Sequence, residues 1–221
     1  NKYTYKENAK HIFDIDKIEE YSSKIYNILN IINDSEGIIF IYSQYIQSGI
    51  IPLMLALETS GYKNYSGNDI LNEKDKKNNG LKYIAITGDK EISKNIEEEL
   101  KIVTSEENKN GEKIKIILGS SVSAEGLDFK NIRQIHVLDP WHHLKKLDQI
   151  IGRGIRYCSH ENLPEDKRNV TIYKYVSSVD NKIQIEDINI DINIYSKAEK
   201  KGIEMNKVEK ILQNNAIDKE I

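Results

Sequence analysis

Five short runs rich in Ile, Val and Tyr, separated by stretches with helical periodicity, constrain this chain more than any other feature. They are Gly37–Ser43, Lys82–Thr87, Lys113–Leu118, Arg133–Leu138 and Val170–Val176. Each is nearly continuous in apolar character rather than alternating, which is the pattern of a strand covered on both faces. Between them lie helical patterns at Ile15–Ile32, Ser48–Thr59, Lys90–Val103 and Leu144–Ile155. In the first, Ile18, Tyr21, Ile25, Ile28, Leu29 and Ile32 fall close to one stripe. Strands alternating with helices predict an α/β fold, a parallel sheet with helices on both faces.

Two segments, Tyr62–Gly80 and the charged loop Ser105–Glu112, interrupt the alternation. Tyr62–Gly80 is polar and rich in Asn and Lys, and is expected to be a surface insertion. Beyond Val176 the pattern changes to an acidic, Asn-rich linker and then an amphipathic helix over Lys197–Asn214. The organisation expected is one α/β domain over residues 1–176, with the insertion at 62–80, and a helical extension over 177–221.

Composition sets limits. With 221 residues and 25.5 kDa there is enough chain for one α/β core. No apolar run approaches the roughly 20 residues of a membrane span, so no membrane partner is expected. Cys158 is the only cysteine, which excludes an internal disulfide and a multi-cysteine zinc site and favours a reducing, intracellular setting. The net charge of −3 opposes a strongly basic nucleic-acid-binding surface without excluding a local patch. The chain opens on Asn1 with no basic and apolar leader behind it, which reads as a fragment or processed product.

Three segments carry chemistry. In DQIIGRGIR, a continuous helix would put Gln149, Gly152, Arg153 and Arg156 at i, i+3, i+4 and i+7, on one face. Two arginines there, with a glycine allowing close approach, suit a polyphosphate, since guanidinium offers phosphate a planar fork. An ordinary solvated basic face fits the same motif. Upstream, GSSVSAEGLDF follows a strand, where open α/β sheets gather their ligands. Ser120 and Ser121 offer hydroxyls there, and Gly126-Leu127-Asp128 supplies a turn and a carboxylate, although an Asx-type turn fits equally. HVLDPWHH links strand to helix; Trp141 suits a packing anchor or an exposed stacking surface. His142 and His143 lack the i, i+4 spacing of a helical metal pair, so no metal site is expected.

The order of these segments is more specific than any one of them. A strand, GSSVSAEGLD, a strand ending in Asp-Pro, then QIIGRGIR on a helix resembles the C-terminal, RecA-like domain of superfamily-two helicases. Within that superfamily, EGLDFKNIRQIHVLDPWHH, QIIGRGIRYCSH and the tail IYSKAEKKGIEMNKVEKILQNNAID resemble the helicase-like transcription ATPases of large cytoplasmic DNA viruses. These are of the poxvirus nucleoside triphosphatase I and early-transcription-factor small-subunit type.

The resemblance carries expectations for particular positions. Arg153 and Arg156 match arginine fingers that reach ATP bound on a first RecA-like domain. Gln149 and Gly152, with Gly126 and Asp128, match the nucleotide interface, where the acid meets the ribose or an arginine finger. Ser120 matches the residue that contacts a nucleic-acid backbone phosphate. Ser43 and Gln44, and Gly88, match further backbone-contact turns. Glu125 stands where many RNA helicases carry arginine, which leans towards the viral and remodeller-like groups.

One absence shapes the functional expectation. The sequence holds no Gly-x-x-x-x-Gly-Lys-Ser/Thr loop. The chain is therefore expected to be the C-terminal half of a nucleic-acid-dependent ATPase, inactive alone. ATP and Mg2+ would be held mainly by the N-terminal RecA-like domain. DNA is the expected polymer, with RNA as the alternative, and the setting viral transcription in cytoplasm or virion. A rival reading keeps the fold but makes the chain a docking module for a polymerase or transcription-factor subunit.

Overall fold

The computed structural model describes residues 2–9, 11–72, 78–121, 127–178 and 189–215. Its centre is one parallel sheet. The strands in chain order are β1 (Ile38–Tyr42), β2 (Lys63–Asn64), β3 (Lys82–Ile86), β4 (Ile116–Gly119), β5 (Ile132–Val137) and β6 (Thr171–Lys174), arranged β2-β3-β4-β1-β5-β6. The helices are α1 (Ile18–Tyr21), α2 (Ser23–Asn33), α3 (Ile51–Thr59), α4 (Ile96–Val103), α5 (Leu144–Gly152) and α6 (Ile190–Asn214). This is the expected RecA-like α/β architecture with a C-terminal helix.

Four of the apolar runs, β1, β3, β4 and β5, are largely buried on both faces as expected, whereas the run Val170–Val176 forms β6, an edge strand that is mostly exposed. Along β1, Ile39 and Ile41 join Ile28, Ile32, Leu53 and Leu57 of α2 and α3 in one layer. Ile38, Phe40 and Tyr42 join Val103 of α4 and Leu147 and Ile150 of α5 in the other. The period of two in the strand thus feeds two separate cores.

Several elements differ in extent from the sequence pattern. The first helical run is broken at Ser22, whose extended backbone and side chain cap α2 by accepting from the Ile25 N–H. The second run starts as a π-turn over Ile46–Ile50 before α3, with Pro52 in the first turn of α3 where its lost N–H costs least. Where a helix over Lys90–Val103 was expected, α4 begins only at Ile96. The last helix starts at Ile190, within the stretch expected to be linker. Among the described residues no helix is long and apolar enough to cross a membrane.

The segment expected to be a surface insertion is corrected most. It contributes edge strand β2, paired in parallel with β3, and buries Tyr62, Ile70 and Leu71 in the core. What ties it down is Glu58, a buried carboxylate on α3. One oxygen accepts from the Ile70 N–H at 2.8 Å and the Tyr83 hydroxyl at 2.6 Å, the other from the Leu71 N–H at 2.7 Å. The Tyr83 phenol is pushed well above its usual range, first by burial and then by that carboxylate. Residues 73–77 of this segment lie outside the described residues.

On the other half of the sheet, His136 is buried against two tyrosines, 4.6 Å from the Tyr173 ring and 5.8 Å from that of Tyr175. Its Nδ1 lies 2.7 Å from the Tyr175 hydroxyl and its Nε2 3.0 Å from Gln134 Oε1. A neutral imidazole fits both contacts, with Nε2–H donating to Gln134 and Tyr175 O–H donating to Nδ1. Burial pushes the His136 pKa down from 6.5 to about 4.

Two stability predictions follow from these buried groups. Glu58→Ala should cost about 3–5 kcal/mol, because three buried donors lose their acceptor together. Glu58→Gln should cost less, since its carbonyl still accepts; urea midpoints of the two variants would rank them, and equality with wild type would remove the clamp. For His136, the unfolded chain takes up a proton near pH 6.5 and the folded chain only near 4. Stability should therefore fall as pH drops through that window, by up to about 3 kcal/mol. His136→Gln should flatten that part of the pH–stability curve.

Candidate nucleotide and nucleic-acid face

A parallel sheet delivers the ends of all its strands to one edge, and here the ladder continues past the strands. The Ser43 N–H donates to Gly119 O at 3.0 Å, the Ser120 N–H to Ile86 O at 3.1 Å and the Leu138 N–H to Tyr42 O at 3.0 Å. Gly88, Ser120, Ser43 and Asp139 therefore line up along the carboxyl edge in the sheet order β3-β4-β1-β5.

Asp139 ties two of these turns together. Its Oδ2 accepts from Ser43 Oγ at 2.6 Å and from the Gln44 N–H at 3.1 Å. Ser43 is fully buried, and its hydroxyl also accepts from the Tyr45 N–H at 3.2 Å. The Ser43 hydroxyl is thus spent on shaping the turn, while Gln44 is half-buried and Tyr45 exposed. Gly49 packs directly on this knot: a Cβ there would stand 2.0 Å from Ser43 Oγ. Gly88 is exposed, beside a turn built by buried Thr87 and Ser93, whose hydroxyls lie 3.0 Å apart. Ser120 is buried and Ser121 exposed.

The arginine segment sits beside this edge and departs from the one-helix expectation. α5 ends at Gly152 and Arg153 is its C-cap, so Gln149 lies on the helix while Arg156 lies on the turn that follows. Gln149 is exposed and Gly152 faces open space, with nothing within 4 Å of a Cβ placed on it. Gly154, not singled out in the sequence, is the one that permits close approach. Its Cβ would come 2.9 Å from Ile135 Cδ1 and 3.3 Å from Ile132 Cβ, and a second glycine two residues after the first is the signal that could have found it.

The two arginines converge on Asp128 although the helix does not carry both. Phe129 is the anchor: its ring is buried 5.0 Å from that of Phe40, and its N–H donates to Arg153 O at 3.1 Å. That leaves the preceding Asp128 facing the arginines. Arg156 donates to Asp128 Oδ2, and Arg153 Nη1 lies 3.5 Å from Oδ1 and 3.2 Å from Leu127 O. Arg156 and Asp128 are half exposed, with side-chain exposures of 56% and 50%, and Arg153 is more enclosed at 18%. Gly126 lies outside the described residues.

The turn beyond is fixed from below. The Asn131 N–H donates to Ser159 O at 2.9 Å, and the Ser159 N–H to Arg156 O at 3.0 Å. His160 Nε2 is 2.6 Å from Ile132 O and must donate, which leaves Nδ1 to accept from the Ser159 hydroxyl at 2.8 Å. Cys158 takes a left-handed φ of 58° in this turn. Trp141 packs half-buried against the α5 layer, with Lys146 5.7 Å from its ring centre, so it anchors the β5–α5 connection. His142 and His143 are exposed.

The glycines give a direct test of this geometry. Gly49→Ala should destabilise by about 1–3 kcal/mol or more, because it pushes into the Ser43–Asp139 knot. Gly152→Ala should be neutral or stabilise by about 0.5–1 kcal/mol, as expected for glycine removed from a helix with room to spare. Thermal melts should show a lowered midpoint for Gly49→Ala and an unchanged or raised one for Gly152→Ala.

Comparison with known proteins identifies the family and agrees with the fold. The profile described as the helicase conserved C-terminal domain matches residues 22–158. A protein of Acanthamoeba polyphaga mimivirus, whose name marks it as a candidate ATP-dependent RNA helicase, is 36% identical over 166 residues, covering 74% of this chain and 27% of its own length. The termination factor NPH-I homolog of an African swine fever virus tick isolate is 33% identical over 192 residues, covering 75% of this chain and 27% of its own length. The chain thus spans about a quarter of each of these relatives. The C-terminal part of the Fun30 ATPase domain has the same fold, with a TM-score of 0.54 at 13% identity, over 83% of this chain and 50% of that one. By its matched residues, its strand order and these relatives, the chain belongs to the helicase conserved C-terminal domain family.

Proposed function

We propose that this chain is the C-terminal half of a nucleic-acid-dependent ATPase, supplying two arginine fingers and a set of backbone-phosphate contacts in viral transcription. The observation that carries the reading is the convergence of Arg153 and Arg156 on one exposed carboxylate, Asp128, beside the carboxyl edge of the sheet. Two guanidinium groups held at that edge fit the charge of a triphosphate. The sequence has no phosphate-cradling glycine loop, so the fit is to half a site. ATP with Mg2+ would supply the phosphoryl group, bound on a first RecA-like domain. Arg153 and Arg156 would exchange Asp128 for the phosphate oxygens when the two domains close. Gln149 and Gly152, on the exposed side of α5, would meet the same interface, and Gly126 and Asp128 would border it.

The nucleic-acid contacts are assigned to the turns after β1, β3 and β4. Gln44 and Gly88 would offer donors to backbone phosphates, which fixes the polymer without reading bases. Ser120 would act from its buried place under the β4 turn, and Ser43 by holding the β1 turn in shape through Asp139. The net charge of −3 releases few counterions, so this half alone should bind weakly and without sequence preference. DNA is the polymer proposed; the mimivirus relative's name makes RNA the comparison to run. The reading places the protein in cytoplasm or virion.

One observation favours a second reading. The outer half of α6 leaves Val208, Ile211 and Leu212 exposed, which would suit a docking module for a polymerase or transcription-factor subunit.

The experiment is ATP hydrolysis across a DNA titration. The chain alone with ATP, Mg2+ and DNA should release no phosphate above buffer. Joined to a first RecA-like domain, the protein should hydrolyse ATP, and Arg153→Ala or Arg156→Ala should cut turnover by ~10³-fold or more, with lysine a poor substitute. Saturable turnover by the chain alone would sink the half-site reading. Parental turnover in either alanine variant would make that arginine a surface residue.

A further inference from the structure

The opposite edge of the sheet carries a second feature that the proposed function leaves unused. A crevice of about 350 Å³ opens there, lined by Lys109, Lys115, Arg133 and Lys167, with Glu36 the one acid in its wall. Gly37 immediately precedes β1, Lys115 immediately precedes β4, Arg133 is the second residue of β5, and Lys167 lies in the connection leading to β6. All four belong to the amino-terminal ends of strands. β1 is five residues long, so roughly 17 Å of strand separates this crevice from the arginine edge.

The crevice is built into the fold. Gly37 and Gly111 have left-handed φ values of 75° and 81° and lie against each other: a Cβ on Gly111 would stand 3.2 Å from Gly37 O. The Arg133 stem fills the space over Gly37, where a Cβ would be 2.3 Å from Arg133 Cγ. Its guanidinium is then fixed by donation from Nε to Asn169 O at 3.2 Å and from Nη2 to Asn169 Oδ1 at 3.0 Å. Lys115 is 8% exposed, and its ammonium donates to Ser35 O at 2.5 Å. Burial lowers the Lys115 pKa, with Glu36 and Glu112 pulling it back up.

Charge decides what the crevice can take. Four cations face one carboxylate in a chain whose net charge is −3, so positive charge is concentrated here against the overall balance. Glu36 is already engaged by Lys167 at 2.9 Å, and Glu112 accepts from the Asn110 amide at 2.8 Å. Arg133 and Lys115 are held by neutral oxygens, which fix their positions without cancelling their charge. One desolvated ammonium, that of Lys115, with more exposed cations around a small hollow suits a compact anion with many acceptor oxygens, and lysine serves phosphate well as a point charge. The volume is that of a small ligand site rather than an extended groove.

We propose that this crevice binds a phosphate group, either of a free phosphate compound or of a nucleic-acid backbone. The site is independent of the arginine edge and of the ATPase reading.

The test uses the 221-residue chain with inorganic pyrophosphate at low salt, followed by calorimetry and by amide NMR shifts. Saturable binding should move the Gly37, Asn110 and Lys167 amides. Lys109→Ala combined with Lys167→Ala should weaken it roughly tenfold or more. Glu36→Gln should tighten it, a gain that a folding defect cannot imitate. An unmodified single-stranded oligonucleotide added to the complex separates the two sources. Release of pyrophosphate assigns the crevice to backbone phosphate, and retention assigns it to a free phosphate compound. Absence of shifts at these amides at millimolar pyrophosphate, or equal affinity in the double variant and wild type, overturns the proposal.

Discussion

The parallel pairing of β1 with β4 on one side and β5 on the other sets almost everything else in this molecule. Its register places Tyr42 level with Gly119 and with Val137. The next residues, Ser43, Ser120 and Leu138, therefore emerge at one height, and Asp139 can reach Ser43 and Gln44. Every residue of β1 is buried, so its polar backbone has to be satisfied by the two neighbouring strands. A slip by one residue would send Phe40 and Tyr42 into the α2–α3 layer and Ile39 and Ile41 into the α5 layer. Two differently shaped cores oppose that slip, and so fix the height of the turns at the carboxyl edge.

This dependence explains which parts could be read from sequence. β1, β3, β4 and β5 were legible because burial on both faces leaves a largely apolar run, whereas β6, an exposed edge strand, was legible only through its Ile and Tyr. β2 was not, because two residues, Lys63 and Asn64, at an edge carry no such run. Its place is dictated by Glu58, and a carboxylate inside an apolar helix gives no sign in sequence of which backbone donors it will find. At the candidate site, the arginines and Asp128 were legible as a motif, since their order along the chain is distinctive. Their geometry was not. Helical periodicity continues through Gly154 in sequence, but Gly154 packs against Ile132 and Ile135 and the chain turns away there. Asp139 looked like a strand terminator, and its bond to Ser43 depends on a contact 96 residues apart.

The two edges of the sheet differ in how their charges are held. At the amino edge, Lys115 is buried and Arg133 is fixed by neutral acceptors, so the positive charge is part of the structure. At the carboxyl edge, Arg156 is exposed and its acceptor is a single exposed carboxylate. An exposed pair of this kind is worth about 0–1 kcal/mol. Giving it up costs the domain little, whereas removing Lys115 from its carbonyl would disturb a buried group.

That small cost matters most for Arg156 on the proposed reading; Arg153 is more enclosed and also donates to Leu127 O. What holds the arginine turn in place lies beneath it: Phe129 against Phe40, Gly154 against Ile132 and Ile135, and half-buried His160 bonded to Ile132 O. The guanidinium ends are held separately, by Asp128, which accepts from both. The backbone can then stay fixed while the charged ends change partner. A triphosphate brought to this face would compete with one solvated carboxylate and, at Arg153, with Leu127 O, and its greater charge would draw both forks towards it. Little reorganisation would then be needed, which is the condition under which fixed charges stabilise a transition state most. The same arrangement explains why a glycine stands at 154 and not merely at 152. The rigid turn needs the close approach at 154, while the helix surface at 152 is open.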